Sequence, residues 1–146
     1  MYTPHTVTVY NVIHTTNLTT FEDTDSVSVT ILRGVFLDMS KGVNVRRSGL
    51  EGADAVELYI PFNVKAVSSS GAVKSYASPQ AYWSAQDKSK LWTLSYEGNG
   101  GETFFIKGEV VLNDLNTARA HDNAFVVTKV DEKDYGSVPH WEVGAK

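Results

Sequence analysis

Thr103-Phe104-Phe105-Ile106-Lys107-Gly108-Glu109-Val110-Val111 follows the turn-forming run Glu97-Gly98-Asn99-Gly100-Gly101-Glu102. Aromatic and β-branched residues suit a pleated, half-buried surface, and Asn and Gly supply the positive φ of a tight turn, so the stretch predicts a central strand entered from a loop. A partner is expected in Ala55–Phe62, where Val56, Leu58, Ile60 and Phe62 alternate with Glu57, Tyr59 and Pro61. That period of two marks a strand with one side on a core. Neither segment carries chemistry.

Working outward, Thr6–Ile13 predicts a first strand with Val7, Val9 and Ile13 on one face and Asn11 interrupting it. Val27–Asp38 predicts a long strand with Val27, Val29, Ile31, Val35 and Leu37 on one face, broken by Arg33, and Leu32 and Phe36 on the other. Gly34 in its middle predicts a bulge or bend. Asn63–Ser70 leads to a hairpin turn at Ser68–Gly71, with Val73–Tyr76 returning. Ser78-Pro79 reads as an N-cap and first residue of a short helix, Pro79–Ala85. Leu91–Tyr96 is expected to pair with Thr103–Val111 as a hairpin. Asn113–Ala120 predicts one or two helical turns, and Ala124–Val130 and His140–Val143 the last strands. The pattern is all-β: a small β-barrel or sandwich of about eight strands with one or two short helices and a long loop.

Met39–Asp54 holds three glycines and few core candidates. Irregular loops longer than about 12–15 residues are uncommon in compact domains and usually functional or disordered, so this segment is a candidate contact arm. It contains Lys41 and the adjacent basic pair Arg46-Arg47, which could reach carboxylates of a neighbouring subunit or a DNA phosphate.

The 146 residues fit one domain with one core, and the absence of cysteine excludes a disulfide framework, a thiolate metal site and a cysteine nucleophile. A net charge of −4 argues against a protein whose main task is to neutralise phosphate. No stretch approaches the roughly 18 apolar residues of a membrane span, and the opening Met1–His5 lacks the basic and apolar regions of a secretion signal. Asn17-Leu18-Thr19 matches a glycosylation acceptor, which without such a signal is read as chance.

The residues hold no catalytic or metal constellation. His5, His14, His121 and His140 stand at no metal-pair spacing. His121-Asp122 reads as a capping or solvated doublet. Asp131-Glu132-Lys133-Asp134 lacks the acidic spacing of a calcium loop and reads as a solvated turn. Expected, therefore, are no catalytic residue, no cofactor and no metal. The aromatics Tyr76, Tyr82, Trp83, Trp92 and Tyr96 leave a different class open, a β-sandwich that binds carbohydrate or another small ligand, although packing is the commoner role of such residues.

Four stretches in order carry a resemblance. They are Tyr2–Asn11; Leu58-Tyr59-Ile60-Pro61-Phe62 within Ala55–Phe62; Ile106-Lys107-Gly108-Glu109-Val110 within Phe104–Val110; and Val126–Asp131 followed by His140-Trp141-Glu142-Val143. Together they resemble the small β-barrel proteins encoded in the head–tail connector region of tailed bacteriophages, above all the head-closure, or stopper, group. The resemblance implies a structural virion protein, not an enzyme, assembled in the host cytoplasm into a ring in the neck. In that group the ring, typically of six subunits, lies under the portal and adaptor, helps close the DNA channel and joins head to tail. It implies as partners other copies of the chain, the adjacent portal-adaptor and tail proteins and, in passing, genomic DNA, with no membrane. Subunit or partner contacts are expected at Lys41, Arg46, Arg47, Tyr135, His140 and Trp141. The chain departs from the group in its Met39–Asp54 arm and Ser78–Asp87 insert, which leaves a tail-terminator or tail-completion protein of the same region as the alternative.

Overall fold

The computed structural model describes residues 2–39, 56–99 and 101–146. Its strands are β1 (His5–Thr16), β2 (Asp23–Met39), β3 (Val56–Pro61), β4 (Lys65–Val67), β5 (Ser75–Tyr76), β6 (Leu91–Trp92), β7 (Glu102–Lys107), β8 (Ala124–Lys133) and β9 (His140–Ala145). Two short helices, α1 (Pro79–Ser84) and α2 (Leu115–Arg119), and a single 3₁₀ turn at Glu97–Asn99 complete the described elements. The chain is all-β with short helices, as its alternation predicts. The Met39–Asp54 arm, with Lys41, Arg46 and Arg47, lies outside the described residues except for Met39, which ends β2.

The ladder closes on itself. β1 pairs with β7, β7 with β8, β8 with β9, β9 with β3, β3 with β2, and β2 again with β1, while β4 adds to β2. Closure buries the hydrogen-bonding edges that an open sheet would leave for other chains. The opening stretch does form a central strand, but its neighbours are β1 and β8, with Val9 opposite Phe105 and Phe105 opposite Phe125. Neither partner expected from sequence pairs with it: β3 lies between β2 and β9, and Leu91–Trp92 pairs in parallel with Ser75–Tyr76. The strand also stops at Lys107, because Gly108 takes φ 91° and turns the chain across the outer face of β1. There Thr8 Oγ1 donates to the Gly108 carbonyl at 2.7 Å, and Val110 N donates back to Thr8 Oγ1 at 2.9 Å.

Two apolar cores result. Val7, Val9, Leu32, Leu58, Phe105 and Val143 lie among the side chains that fill the ring interior. On the outer face of β1 and β7, Tyr10, Val12, Phe104 and Ile106 are covered by the 110–118 segment, in which Ala118 of α2 is fully buried. Tyr10 and Phe104 stack there with ring centroids 4.8 Å apart.

Gly34 marks the predicted bulge, at φ 93°. The β1 register skips from His5 opposite Val35 to Thr6 opposite Arg33, so one extra residue enters β2. A one-residue insertion flips the faces. Leu32 therefore points inward before the bulge and Val35 and Leu37 after it, whereas alternation alone puts Leu32 opposite those two. His5 Nδ1 accepts from the Leu37 N–H at 3.0 Å just past the irregularity.

Leu91–Tyr96 runs against the ring interior, with Trp92 and Leu94 in the core. Asn11, inward-facing on β1, satisfies its backbone: Nδ2 donates to the Thr93 carbonyl at 2.8 Å, and Thr93 N donates to Oδ1 at 3.2 Å. Thr103 Oγ1 accepts from Ser95 N at 3.0 Å. The polar break in the first strand is thus the fixing point for a segment without a continuous ladder. Helix α1 begins as predicted, with Ser78 Oγ accepting from Ala81 N and Pro79 opening the helix.

Candidate interaction site

The clearest surface feature is the β1–β2 hairpin. Pairing of β1 with β7 runs from Val7 to Val12, whereas pairing with β2 continues through Ile13–Ser26, His14–Asp25, Thr15–Thr24 and Thr16–Asp23. These four residue pairs form a two-stranded ribbon beyond β7. At about 3.3 Å per residue the ribbon reaches roughly 13 Å before its turn.

The turn is built, not loose. Phe21 N donates to the Asn17 carbonyl at 2.7 Å and Asn17 N to the Glu22 carbonyl at 2.8 Å. Asn17 Oδ1 accepts from Thr19 N at 2.8 Å and from Thr20 N at 3.3 Å. Asn17 therefore works as a turn organiser, a role its side-chain chemistry favours. Phe21 has φ 58°, a region uncommon for a bulky residue. Leu18 is 84% exposed and Phe21 80% exposed, so an ordered turn holds two large apolar side chains in solvent. Below them His14 Nδ1 lies 2.6 Å from Asp25 Oδ1, and Thr16 donates to Asp23 at 2.7 Å.

Beside the hairpin base lies an open cleft of about 880 Å³, lined by His14, Tyr96, Gly98, Glu102, Val126 and Thr128 among others. Val126 projects from β8 and is 44% exposed. Glu102 is held by Arg119 through two bonds of 2.9 and 2.7 Å.

The residues expected at contacts are scattered. Tyr135 is 68% exposed, between β8 and β9. His140 is half-buried on the outer wall, its Nδ1 2.8 Å from the Val138 carbonyl and its Nε2 3.3 Å from Glu142. Trp141 is not a surface residue: at 4% exposure it packs against Phe62, Tyr76 and Trp92, and its indole N–H donates to Glu132. Alternation explains the difference, since neighbouring residues of a strand face opposite sides. Sequence reading passed over Leu18 and Phe21; the available signal was two large apolar residues in an otherwise polar loop.

Asp131, Glu132 and Lys133 belong to β8 and not to the solvated turn expected of them, with Asp131 opposite Glu142. His121 Nδ1 accepts from Asn123 N at 3.1 Å in a local turn. Among the described residues no group of three or more His, Cys, Asp or Glu is placed to hold a metal ion, and no helix is long and apolar enough to cross a membrane. Of the aromatics that a sugar platform would need, Tyr82 and Trp92 are buried, and Tyr76 packs on Trp92 and Trp141. Burial pushes the Tyr76 hydroxyl up to about 12.

A lysine is buried away from this surface. Lys74 is 6% exposed, and its Nζ donates to Ser28 Oγ at 2.9 Å, the Val29 carbonyl at 2.9 Å and Thr30 Oγ1 at 3.0 Å. Burial lowers its pKa to about 8. The ammonium ties the 72–74 return to β2.

A family profile described as a family of unknown function, DUF6751, matches residues 2–146. The chain belongs to that family. A search of curated proteins and a search of solved structures each give no match to this DUF6751 member.

Proposed function

We propose that this DUF6751 protein is a structural protein of a tailed-phage virion, a subunit of a ring in the neck between the portal-adaptor and the tail. In this reading the ring, six-fold as in the head-closure group, helps close the DNA channel and joins head to tail. The observation that supports it most is the pairing of a closed ladder with an ordered, apolar-tipped hairpin. A subunit that must stay separate until assembly benefits from hidden strand edges and from contacts confined to projections. The acidic balance of the chain suits passage of DNA without adhesion, since phosphate contacts are what retain DNA. A tail-terminator or tail-completion role in the same region uses the same features.

The test is made in a phage that encodes the chain. Quantitative mass spectrometry of purified particles is expected to find it at ring-like copy number, and disruption of its gene is expected to leave DNA-containing heads and tails unjoined. Particles that lack the chain and remain infectious would sink the proposal.

A further inference from the structure

We propose that Lys74, Ser28, Thr30 and Tyr82 together bind one small monovalent anion of chloride size, enclosed between β2, the 72–74 return and helix α1. The inference stands apart from the neck-protein reading and needs no second copy of the chain.

The backbone brings the four residues together. Ser28 and Thr30 are two apart on β2 and lie opposite Asn11 and Val9 of β1, both inward-facing, so the two hydroxyls share the inner face. β4 pairs with β2 only from Ile31 to Arg33, which leaves the β2 edge beside Val29 outside that pairing. Lys74 takes the place of a strand there, its Nζ on the Val29 carbonyl and on both hydroxyl oxygens. Tyr82 is the buried residue of α1, and its hydroxyl lies beside Ser28.

Donors outnumber acceptors in this cluster, and its one formal charge is positive. A hydroxyl has one proton to give and two lone pairs with which to accept. Ser28 and Thr30 each accept from the ammonium, so their own protons remain, and among the described residues neither has an acceptor. Tyr82 is fully buried, and its hydroxyl has no hydrogen-bond partner among the described residues. Burial raises its pKa, so it keeps its proton and remains a donor. All three acceptors of Lys74 are neutral, which leaves the buried ammonium without a counter-charge. Lys88 Nζ stands over the Tyr82 ring, 5.8 Å from its centroid, and adds to the positive potential. The neighbouring acid, Asp87, accepts from Ser89 instead.

A water accepts two protons but must place two of its own and supplies no charge. An anion accepts all three hydroxyl protons and supplies the counter-charge that a buried ammonium lacks. Enclosure sets the size. Thr30 and Tyr82 are fully buried and Lys74 nearly so, which admits a bare ion and excludes one that carries a tail.

The test is urea unfolding at neutral pH with chloride replacing gluconate at constant ionic strength. A ligand of the folded state alone raises the folded-to-unfolded ratio about tenfold for a tenfold rise in its concentration well above Kd. That dependence is expected in the wild type and is expected to vanish in Tyr82→Phe, which removes one proton donor and keeps the ring, and in Lys74→Met. In wild-type crystals soaked in bromide, anomalous scattering is expected to place one ion beside Tyr82 Oη and the Ser28 and Thr30 hydroxyls. This second measurement uses the unaltered chain, so it decides the matter even if a variant fails to fold. A water in that place, or equal chloride dependence in wild type and Tyr82→Phe, would overturn the inference. So would bromide at the site with no chloride dependence in solution, which marks an adventitious ion only.

Discussion

At the scale of single residues, Lys74 and Asn11 show how this chain uses buried polarity. An ammonium held by three neutral acceptors is solvated by protein alone, and burial favours its neutral form. The folded-state pKa of about 8 lies below the roughly 10.4 of an unfolded lysine, so between those values the unfolded chain binds more protons and stability rises with pH. The gain approaches about 3 kcal/mol if the window is crossed completely, at about 1.4 kcal/mol per pKa unit. Urea unfolding at pH 7.5 and 9.5 is expected to show the wild type gaining stability relative to Lys74→Met. Parallel pH profiles for the two proteins would refute this. Tyr76, whose hydroxyl is pushed up to about 12, works in the opposite sense above the ordinary tyrosine range, so the comparison stays below pH 10. For Asn11, replacement by Ala removes both side-chain partners of the Thr93 backbone and should cost about 2–3 kcal/mol in chemical denaturation, the penalty of buried groups left unpaired. A loss below about 0.5 kcal/mol would show that the 91–96 segment is held by Trp92 and Leu94 alone.

At the scale of elements, the strands themselves were legible and their neighbours were not. Val56, Leu58 and Ile60 announce an inward face by alternation, and that face is where they lie. Alternation says nothing about which strand sits alongside, and turn length misled where Leu91–Tyr96 precedes β7 so closely. The real partners of β7 are β8 and β1, the latter brought in from about a hundred residues away, with Val7 opposite Lys107. Helix α1 was readable from Ser78-Pro79 because a cap is a local interaction. The tip at Leu18 and Phe21 was passed over: two large apolar residues in a polar loop are a signal, but whether they are exposed depends on what the loop packs against, which its own sequence does not state. Gly34 lies between these cases: its bulge was readable, but its effect on facing was not. A Cβ there would meet only Thr3 Oγ1, at 3.9 Å, so the cost of Gly34→Ala comes from the left-handed φ and not from a clash. We expect a loss of about 1–2 kcal/mol, measured as a lowered midpoint of thermal unfolding. An unchanged midpoint would mean that β2 can shed the bulge and re-register.

At the scale of the whole molecule, ring closure determines how the protein can be made. β1 leaves the ribosome ahead of the other described strands and can fold onto β2 at once, since only a short turn separates them. Its other edge must then wait for Glu102–Lys107, and β8 and β9 come later still. Contacts between residues so distant in sequence slow folding, because the intervening chain has to be gathered before they form. During that interval the β1–β2 ribbon and its Leu18–Phe21 tip exist as a nascent hairpin with an open edge. The feature that hides the strand edges of the folded chain is therefore the last to be completed, and the growing chain is most adhesive until Glu102–Lys107 and the strands after it have been made.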